Sequence, residues 1–161
     1  PIKSSAASDV YKRQELLADV RQERANLSGA EAILIGDFNV EPYDEIMQTP
    51  HLFNAVYFKE VISRKQYRTW QRHRYEYLYN PMLCNYSEDG PQYGSFYCAN
   101  LDLETYWHCL DQVLVTPGLT DAIRSVSHLR AISDFDLISK VAPDKQISDH
   151  LPLSVRLSIN K

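Results

Sequence analysis

The sequence predicts a mixed α/β (α+β) fold, because one helical pattern is followed by several short strand patterns. Residues 15–28 place apolar side chains close to one face of a helix. Residues 31–35 form a short continuous apolar run, which is typical of a buried strand. Residues 151–159 alternate apolar and polar side chains, as a strand with one buried face does. A chain of 161 residues is long enough for one domain with a substantial core.

The first fourteen residues do not fit this pattern. They have no apolar periodicity and no helix-start signal, and their later part resembles translated sequencing-adaptor sequence. We therefore expect residues 1–14 to be a non-native or disordered tail, and residues 15–161 to carry the fold.

The predicted helix leads directly into the first strand. Its apolar face is formed by four residues: Leu16, Leu17, Val20 and Leu27. Gly29 suits the position just past the helix end, where a left-handed conformation is common. After the first strand, Gly36 allows a sharp turn. Asp37 and Asn39 are therefore expected at the carboxyl edge of the sheet, where ligand sites tend to form.

Further strands follow a less regular middle of the chain. Residues 41–50 are expected to form a loop and a short helix, and residues 51–100, rich in aromatic side chains, are expected to be irregular. Residues 107–115 alternate as a strand whose apolar face also carries Asp111, and residues 123–132 are a further candidate strand. Because an unpaired carboxylate on an apolar face is costly, Asp111 is expected to have a partner such as a histidine.

Charge and hydropathy limit the possible functions. The formal net charge of −4 argues against a protein that grips nucleic acid over its whole surface, although a local basic patch is compatible with it. No apolar stretch approaches the roughly 20 residues that a membrane helix needs, and no signal-peptide region is present. A cytoplasmic setting without a membrane span is therefore expected.

Three acidic motifs carry the chemical signal. They are Gly36-Asp37-Phe38-Asn39, Asp111 on its strand, and Ser148-Asp149-His150. Carboxylates with a hard cation can neutralise a phosphoryl group, and a histidine held by an aspartate can transfer a proton. Each motif alone is also compatible with a turn residue or a cap. In this order, each on a strand or at a strand end, they resemble the endonuclease/exonuclease/phosphatase family over roughly residues 15–160.

The resemblance implies a metal-dependent enzyme that cuts phosphate esters with Mg²⁺, or with Mn²⁺ as the alternative. It places Asp37 beside the attacking water and Asn39 on a phosphate oxygen. It assigns Asp149 to the metal site and His150 to the phosphate, with Asp111 orienting His150. Whether the aspartate or the histidine takes the proton is left open at this point.

The resemblance also covers only the C-terminal half of the family domain. It therefore implies half of a four-layer α/β sandwich, with one mostly antiparallel sheet and its covering helices. The family's N-terminal half, with its metal-binding glutamate, has no counterpart here. We expect the inner sheet face, including that of 151–159, to be exposed and to favour self-association. We also expect the parent protein to be a hydrolase and the chain alone to be inactive.

A basic and aromatic segment indicates the substrate. Between residues 59 and 74 six basic residues are interleaved with aromatic ones, as in single-strand binding surfaces. Arg68, Trp70 and Arg72 are the candidate substrate-binding residues, while a solvated loop with a few buried rings is the structural alternative. Phosphodiester hydrolysis of nucleic acid is the leading function. There are two alternatives. One is a phosphatase or phosphodiesterase that acts on lipid head groups or nucleotides, and the other is a non-catalytic binding module of the same fold.

Overall fold

A computed structural model of the chain describes residues 3–82, 94–98 and 107–158. Within these residues the fold is mixed α/β with more strand than helix, which confirms the predicted fold class. Parts of two predicted segments, the irregular region at 51–100 and the strand at 151–159, lie outside the described residues.

Three helices are described, namely α1 at Lys3–Asn26, α2 at Glu45–Gln48 and α3 at Lys59–Arg64. Helix α1 begins well inside the segment that was expected to be a non-native or disordered tail, rather than at residue 15. Extending an existing helix adds one hydrogen bond per residue without a new nucleation cost. The added segment also contains no proline or glycine, so nothing in it ends the helix.

The C-terminal end of α1 agrees with its sequence pattern. Gly29 has a φ of +77°, and its N–H donates to the carbonyl of Arg24 at 2.6 Å. Leu17 is buried in the core, but Leu16 and Leu27 are exposed. The buried face of the helix is therefore narrower than the four apolar residues suggested.

Fourteen strands are described, and most of them are only two residues long. In chain order they are β1 (Ile33–Asp37), β2 (Ala55–Val56), β3 (Tyr67–Trp70), β4 (His73–Glu76), β5 (Leu78–Tyr79), β6 (Phe96–Tyr97), β7 (Trp107–His108), β8 (Asp111–Val115), β9 (Ile123–His128), β10 (Ala131–Ile132), β11 (Phe135–Asp136), β12 (Ile138–Ser139), β13 (Ala142–Pro143) and β14 (Leu153–Leu157). The single strand predicted over 107–115 is instead two strands, β7 and β8, which belong to different sheets. The strands predicted over 123–132 and 151–159 contain the shorter β9 and β14.

A four-stranded sheet in the order β1-β8-β5-β2 forms the centre of the fold. Strands β1 and β8 are antiparallel from Ile33 opposite Val115 to Asp37 opposite Asp111. Strands β2 and β5 are parallel. The prediction of one mostly antiparallel sheet is met only in part, because β9 and β14 form a separate antiparallel ribbon. The chain leaves the central sheet at the 3-10 turn Pro117–Leu119 before it enters that ribbon.

Each face of the central sheet carries a buried cluster. On one face a buried cluster joins the sheet to α1 and α2, with Leu17, Leu34, Met47, Phe53 and Leu114 among its members. On the other face a second cluster joins the sheet to α3 and to the β9–β14 ribbon, with Ile62, Val113, Val115 and Ile123 among its members. Because β8 supplies fully buried side chains to both clusters, its position in the sheet is fixed from two sides.

The apolar face of β14 is not exposed as expected. Leu153, Val155 and Leu157 are partly buried and pack on the second cluster, because the ribbon folds over the central sheet. Within the central sheet, exposed apolar side chains lie on the edge strand β1, where Ile33 is 39% and Ile35 is 54% exposed.

None of the helices in the described part of the chain is long and apolar enough to cross a membrane.

Candidate active site

Two of the predicted acidic residues lie opposite each other on adjacent strands of the central sheet. Asp37, the last residue of β1, is paired in register with Asp111, the first residue of β8. Asp37 is exposed, whereas the side chain of Asp111 is only 17% exposed. The antiparallel pairing therefore brings residues from two distant motifs to the same edge of the sheet.

The turn after β1 places Asn39 beside Asp37. Gly36 has a φ of +149°, which favours glycine, and Asn39 has a φ of +54° in the left-handed region that asparagine tolerates. The Asn39 N–H donates to the Asp37 carboxylate at 2.8 Å. The sharp turn expected after Gly36 is confirmed, and both side chains are exposed at the sheet edge.

Asp111 has the histidine partner that its position on an apolar strand predicted. Its Oδ2 lies 2.6 Å from Nδ1 of His150, and the His150 side chain is 25% exposed. Such a contact fixes the orientation of the imidazole and leaves Nε2 for another partner. This pair joins the second acidic motif to the third.

Ser95 and Phe96 support this pair, although no sequence pattern indicated them. The Asp111 N–H donates to Ser95 Oγ at 3.0 Å, and the Leu151 N–H donates to the Ser95 carbonyl at 2.8 Å. The Phe96 ring centroid lies 5.0 Å from that of His150. Because they come from a segment expected to be irregular, no periodic signal could have identified them.

His128 is a second histidine against Asp111 that the sequence pattern did not single out. Its Nε2 lies 2.9 Å from the backbone carbonyl of Asp111. Burial lowers the pKa of His128, and the neighbouring Asp111 carbonyl and carboxylate only partly oppose this effect. His128 is therefore held neutral, as a donor to the β8 backbone.

Asp149 lies next to His150 on an exposed turn. The His150 N–H donates to Ser148 Oγ at 3.1 Å, and the Asp149 side chain is exposed. Among the described residues, no group of three histidine, cysteine, aspartate or glutamate side chains is placed to hold a metal ion. The carboxylates of Asp37 and Asp149 are exposed, and that of Asp111 is paired with His150.

A second carboxylate–histidine pair is formed by a residue at the end of the turn that follows β1. The Glu41 carboxylate lies 2.8 Å from Nδ1 of His108 and accepts the Cys109 N–H at 3.1 Å. A buried amide pair lies nearby, in which Asn80 donates to Gln112 and Gln112 donates to the Val40 carbonyl. These contacts tie the turn to the strand region that carries Asp111.

The candidate substrate-binding residues form a separate hairpin of β3 and β4. The Trp70 ring stacks on His51 with centroids 5.5 Å apart, and Arg68 donates to the Gln48 carbonyl and lies over the Tyr77 ring. Arg72 lies at the exposed hairpin tip with a φ of +67°. The contacts described for these side chains are with the hairpin and the α2 region, and none of them joins the hairpin to Asp111 or His150.

A surface cavity of about 370 Å³ lies between α1 and β1. It is lined mainly by apolar side chains, including Leu16, Ile33 and Ile35, and it reaches Asp37. Neither Asp111 nor His150 lines it. The polar edge of the sheet, rather than this cavity, therefore holds the candidate site.

Comparison with known protein families, with curated proteins and with solved structures finds no match for this chain.

Proposed function

We propose that this chain carries part of the active site of an Mg²⁺-dependent phosphoesterase that hydrolyses phosphodiesters of nucleic acid. The 2.6 Å contact between Asp111 and His150, with Asp37 directly across the strand pair, is the observation that carries this proposal. An aspartate that holds one imidazole nitrogen leaves the other to exchange a proton with water or with a leaving oxygen.

Each residue at the edge has a distinct role in this proposal. His150 transfers the proton, and Asp111 holds it in the required tautomer and orientation. Asn39 donates its side-chain amide to a phosphate oxygen, and Asp37 orients the attacking water. The backbone N–H of Asn39 donates to the Asp37 carboxylate, so the two residues lie in one turn, and in this proposal both face the phosphate.

In this proposal, exposed carboxylates next to the Asp111–His150 pair supply the oxygen ligands of a hard divalent cation. Asp149 and Asp37 are exposed and offer oxygen donors, which Mg²⁺ prefers, and Mn²⁺ accepts the same donor set. We propose Asp149 as the principal ligand. When bound, Mg²⁺ would neutralise charge on the phosphoryl oxygens.

The β3–β4 hairpin favours nucleic acid over other phosphate esters. Arg74 and Lys65 lie over the Tyr67 ring, and Trp70 is 38% exposed beside Arg72. Aromatic faces next to cations are what single-stranded bases and phosphates bind. A lipid head-group or nucleotide phosphoesterase is the second candidate, because it needs the same sheet edge but not the hairpin. A non-catalytic module would keep the phosphate contact without the proton transfer.

The four-layer sandwich of the resembled family is also a proposal for the longer parent protein. In this proposal the central sheet and its helices are one half of that sandwich. No residue of this chain matches the family's metal-binding glutamate. We therefore propose that the 161-residue chain alone turns over substrate at a rate near background.

Mg²⁺-dependent binding tests the proposed function directly. The His150 ring resonances are followed by NMR while oligothymidylate, a mononucleotide or an inositol phosphate is added with and without Mg²⁺. We expect oligothymidylate to bind most tightly, and Asp149→Asn to weaken its Mg²⁺-dependent binding by about tenfold or more. Asp134→Asn, which makes the same charge change on an exposed loop, serves as the control.

Two outcomes would contradict the proposal. If none of the three ligands shifts the His150 resonances in Mg²⁺, the phosphoesterase assignment is wrong. If the inositol phosphate binds more tightly than oligothymidylate, the nucleic acid assignment is wrong. Turnover of a simple phosphodiester that Asp149→Asn abolishes would support the phosphoesterase assignment, but it would overturn the proposal that the chain alone is nearly inactive.

A further inference from the structure

The turn that carries Asn39 is hydrogen-bonded to β8 and the residue before it, through the turn residues on either side of Asn39. The Phe38 N–H donates to the Leu110 carbonyl at 2.9 Å. Two residues further on, Gln112 Nε2 donates to the Val40 carbonyl at 2.6 Å. The turn therefore has backbone contacts on both sides of Asn39.

Glu41 adds a side-chain contact at the end of the same turn. One of its carboxylate oxygens lies 2.8 Å from His108 Nδ1, and the other accepts the Cys109 N–H at 3.1 Å. Its own N–H donates to the Asp44 carboxylate at 2.8 Å. Both carboxylate oxygens are in use and the side chain is only 34% exposed, so Glu41 connects the turn to the end of β7 and the residue that follows it.

Asn39 depends on such support because of its backbone conformation. A left-handed conformation is unfavourable for most residues and less so for asparagine. Such conformations persist where the surrounding structure over-determines them. The same region also touches the acid–base pair, because the Phe96 ring lies 6.2 Å from that of His108 and 5.0 Å from that of His150.

We propose that Glu41 is a positioning residue for the phosphate site, and this inference rests on the proposed function. Its carboxylate holds the turn so that the Asn39 side chain stays beside Asp37. Glu41 itself contacts neither the metal nor the phosphate in this proposal. It acts through the fixed backbone of residues 38–41.

Three variants separate this role from a general loss of charge. Glu41→Ala removes both carboxylate contacts. Glu41→Gln keeps one oxygen that can accept the Cys109 N–H, so it should restore part of the effect. Glu45→Ala removes an exposed carboxylate four positions further along and is the matched control.

Two readouts are measured on each variant. The first is hydrogen exchange of the Asn39 amide, which donates to Asp37, compared with the amides of the buried β8 residues Val113 and Val115. The second is the affinity for dimethyl phosphate in Mg²⁺, measured from NMR shifts. We expect Glu41→Ala to speed exchange at Asn39 and to weaken dimethyl phosphate binding, each by about tenfold, with exchange in β8 unchanged.

The outcomes distinguish this inference from the function on which it rests. If the wild type binds dimethyl phosphate in Mg²⁺ and Glu41→Ala binds it equally well, the role of Glu41 is refuted and the proposed function stands. Equal effects of Glu41→Ala and Glu45→Ala would also refute it. If the wild type shows no Mg²⁺-dependent binding, the proposed function fails and the inference fails with it.

Discussion

The Asp111 carboxylate lies 2.6 Å from Nδ1 of His150, although 39 residues separate them in the sequence. This contact joins the start of β8 to the segment that leads into β14, and so connects the central sheet to the ribbon that covers it. Because Asp37 is paired with Asp111 across the sheet, the contact also brings His150 to the edge that carries Asp37.

Removing the Asp111 carboxylate should release the imidazole of His150. In Asp111→Ala, we expect the His150 ring nitrogens to lose their single tautomer, and Mg²⁺-dependent phosphodiester binding to weaken by about 10–100-fold. The ¹⁵N chemical shifts of the ring report the tautomer, with Asp134→Ala as the control. A single unchanged tautomer in Asp111→Ala would show that Asp111 does not orient His150.

The sequence predicted the parts of this site that follow from local rules. Gly36 and Asn39 indicated the sharp turn through their tolerance of left-handed backbone, and both have positive φ. The cost of an unpaired carboxylate on an apolar strand indicated a histidine partner for Asp111, and His150 is that partner. Both predictions rest on what a single residue requires of its surroundings.

The parts that were missed depend on contacts between distant segments. The Ser95 hydroxyl accepts the Asp111 N–H, and His128 donates to the Asp111 carbonyl. Neither residue lies in a sequence motif that would have indicated this contact. Helix α1 likewise begins at Lys3, because helix extension overrides a weak apolar pattern. The exposed apolar side chains of the sheet also lie on β1 rather than on β14, because the ribbon that contains β14 packs on the second buried cluster. Local sequence does not determine that packing.

Substitutions at the tip of the β3–β4 hairpin should change the stability of the protein and its nucleic acid binding independently. Gln71 and Arg72 both have positive φ, at +47° and +67°, where glycine has no steric penalty. We expect Arg72→Gly to raise the free energy of unfolding by about 0.5–1 kcal/mol, since relief of strain exceeds the entropy cost of glycine. It should also weaken oligothymidylate binding and reduce its salt slope by about 0.7, because one phosphate contact is lost.

Gln71→Gly is the matched control for this prediction. It relieves similar strain at the same turn but removes no charge, so it should stabilise the protein without changing the salt slope. Urea unfolding and binding at several salt concentrations measure the two effects. Equal salt slopes for the wild type and Arg72→Gly would exclude Arg72 from the binding surface.

His128 should make stability depend on pH. Because burial lowers its pKa in the folded protein, the unfolded chain binds a proton at a higher pH than the folded chain does. The contribution of neutral His128 to stability is therefore fully present above the unfolded pKa of about 6.5, and it is lost as the pH falls toward the lowered folded value. Urea unfolding between pH 7.5 and about 5 should show this loss.

Replacing His128 by glutamine tests the assignment of that pH dependence. Glutamine keeps a donor for the Asp111 carbonyl but does not titrate in this range. We expect the stability of His128→Gln to vary less with pH than that of the wild type. An identical pH dependence in the two proteins would show that another group is responsible.

Strand β1 is the candidate surface for self-association. Among the strands that the structure describes it lies at the edge of the central sheet, and Ile33 and Ile35 are exposed on it. Exposed apolar edges favour pairing between chains, so we expect the apparent mass to rise with concentration in sedimentation. Ile35→Lys should reduce this association, whereas Ile132→Lys, at a similarly exposed position on β10, should not. A monomer at every concentration would refute the expectation.

The most direct test of the proposed site is an NMR map of the residues that sense dimethyl phosphate in the presence of Mg²⁺. We expect the resonances of Asp37, Asn39 and His150 to shift together with one affinity, and Asp149→Asn to weaken binding at all three residues equally. Shifts confined to one of these residues, or shifts that do not require Mg²⁺, would contradict a single phosphate site at this edge of the sheet.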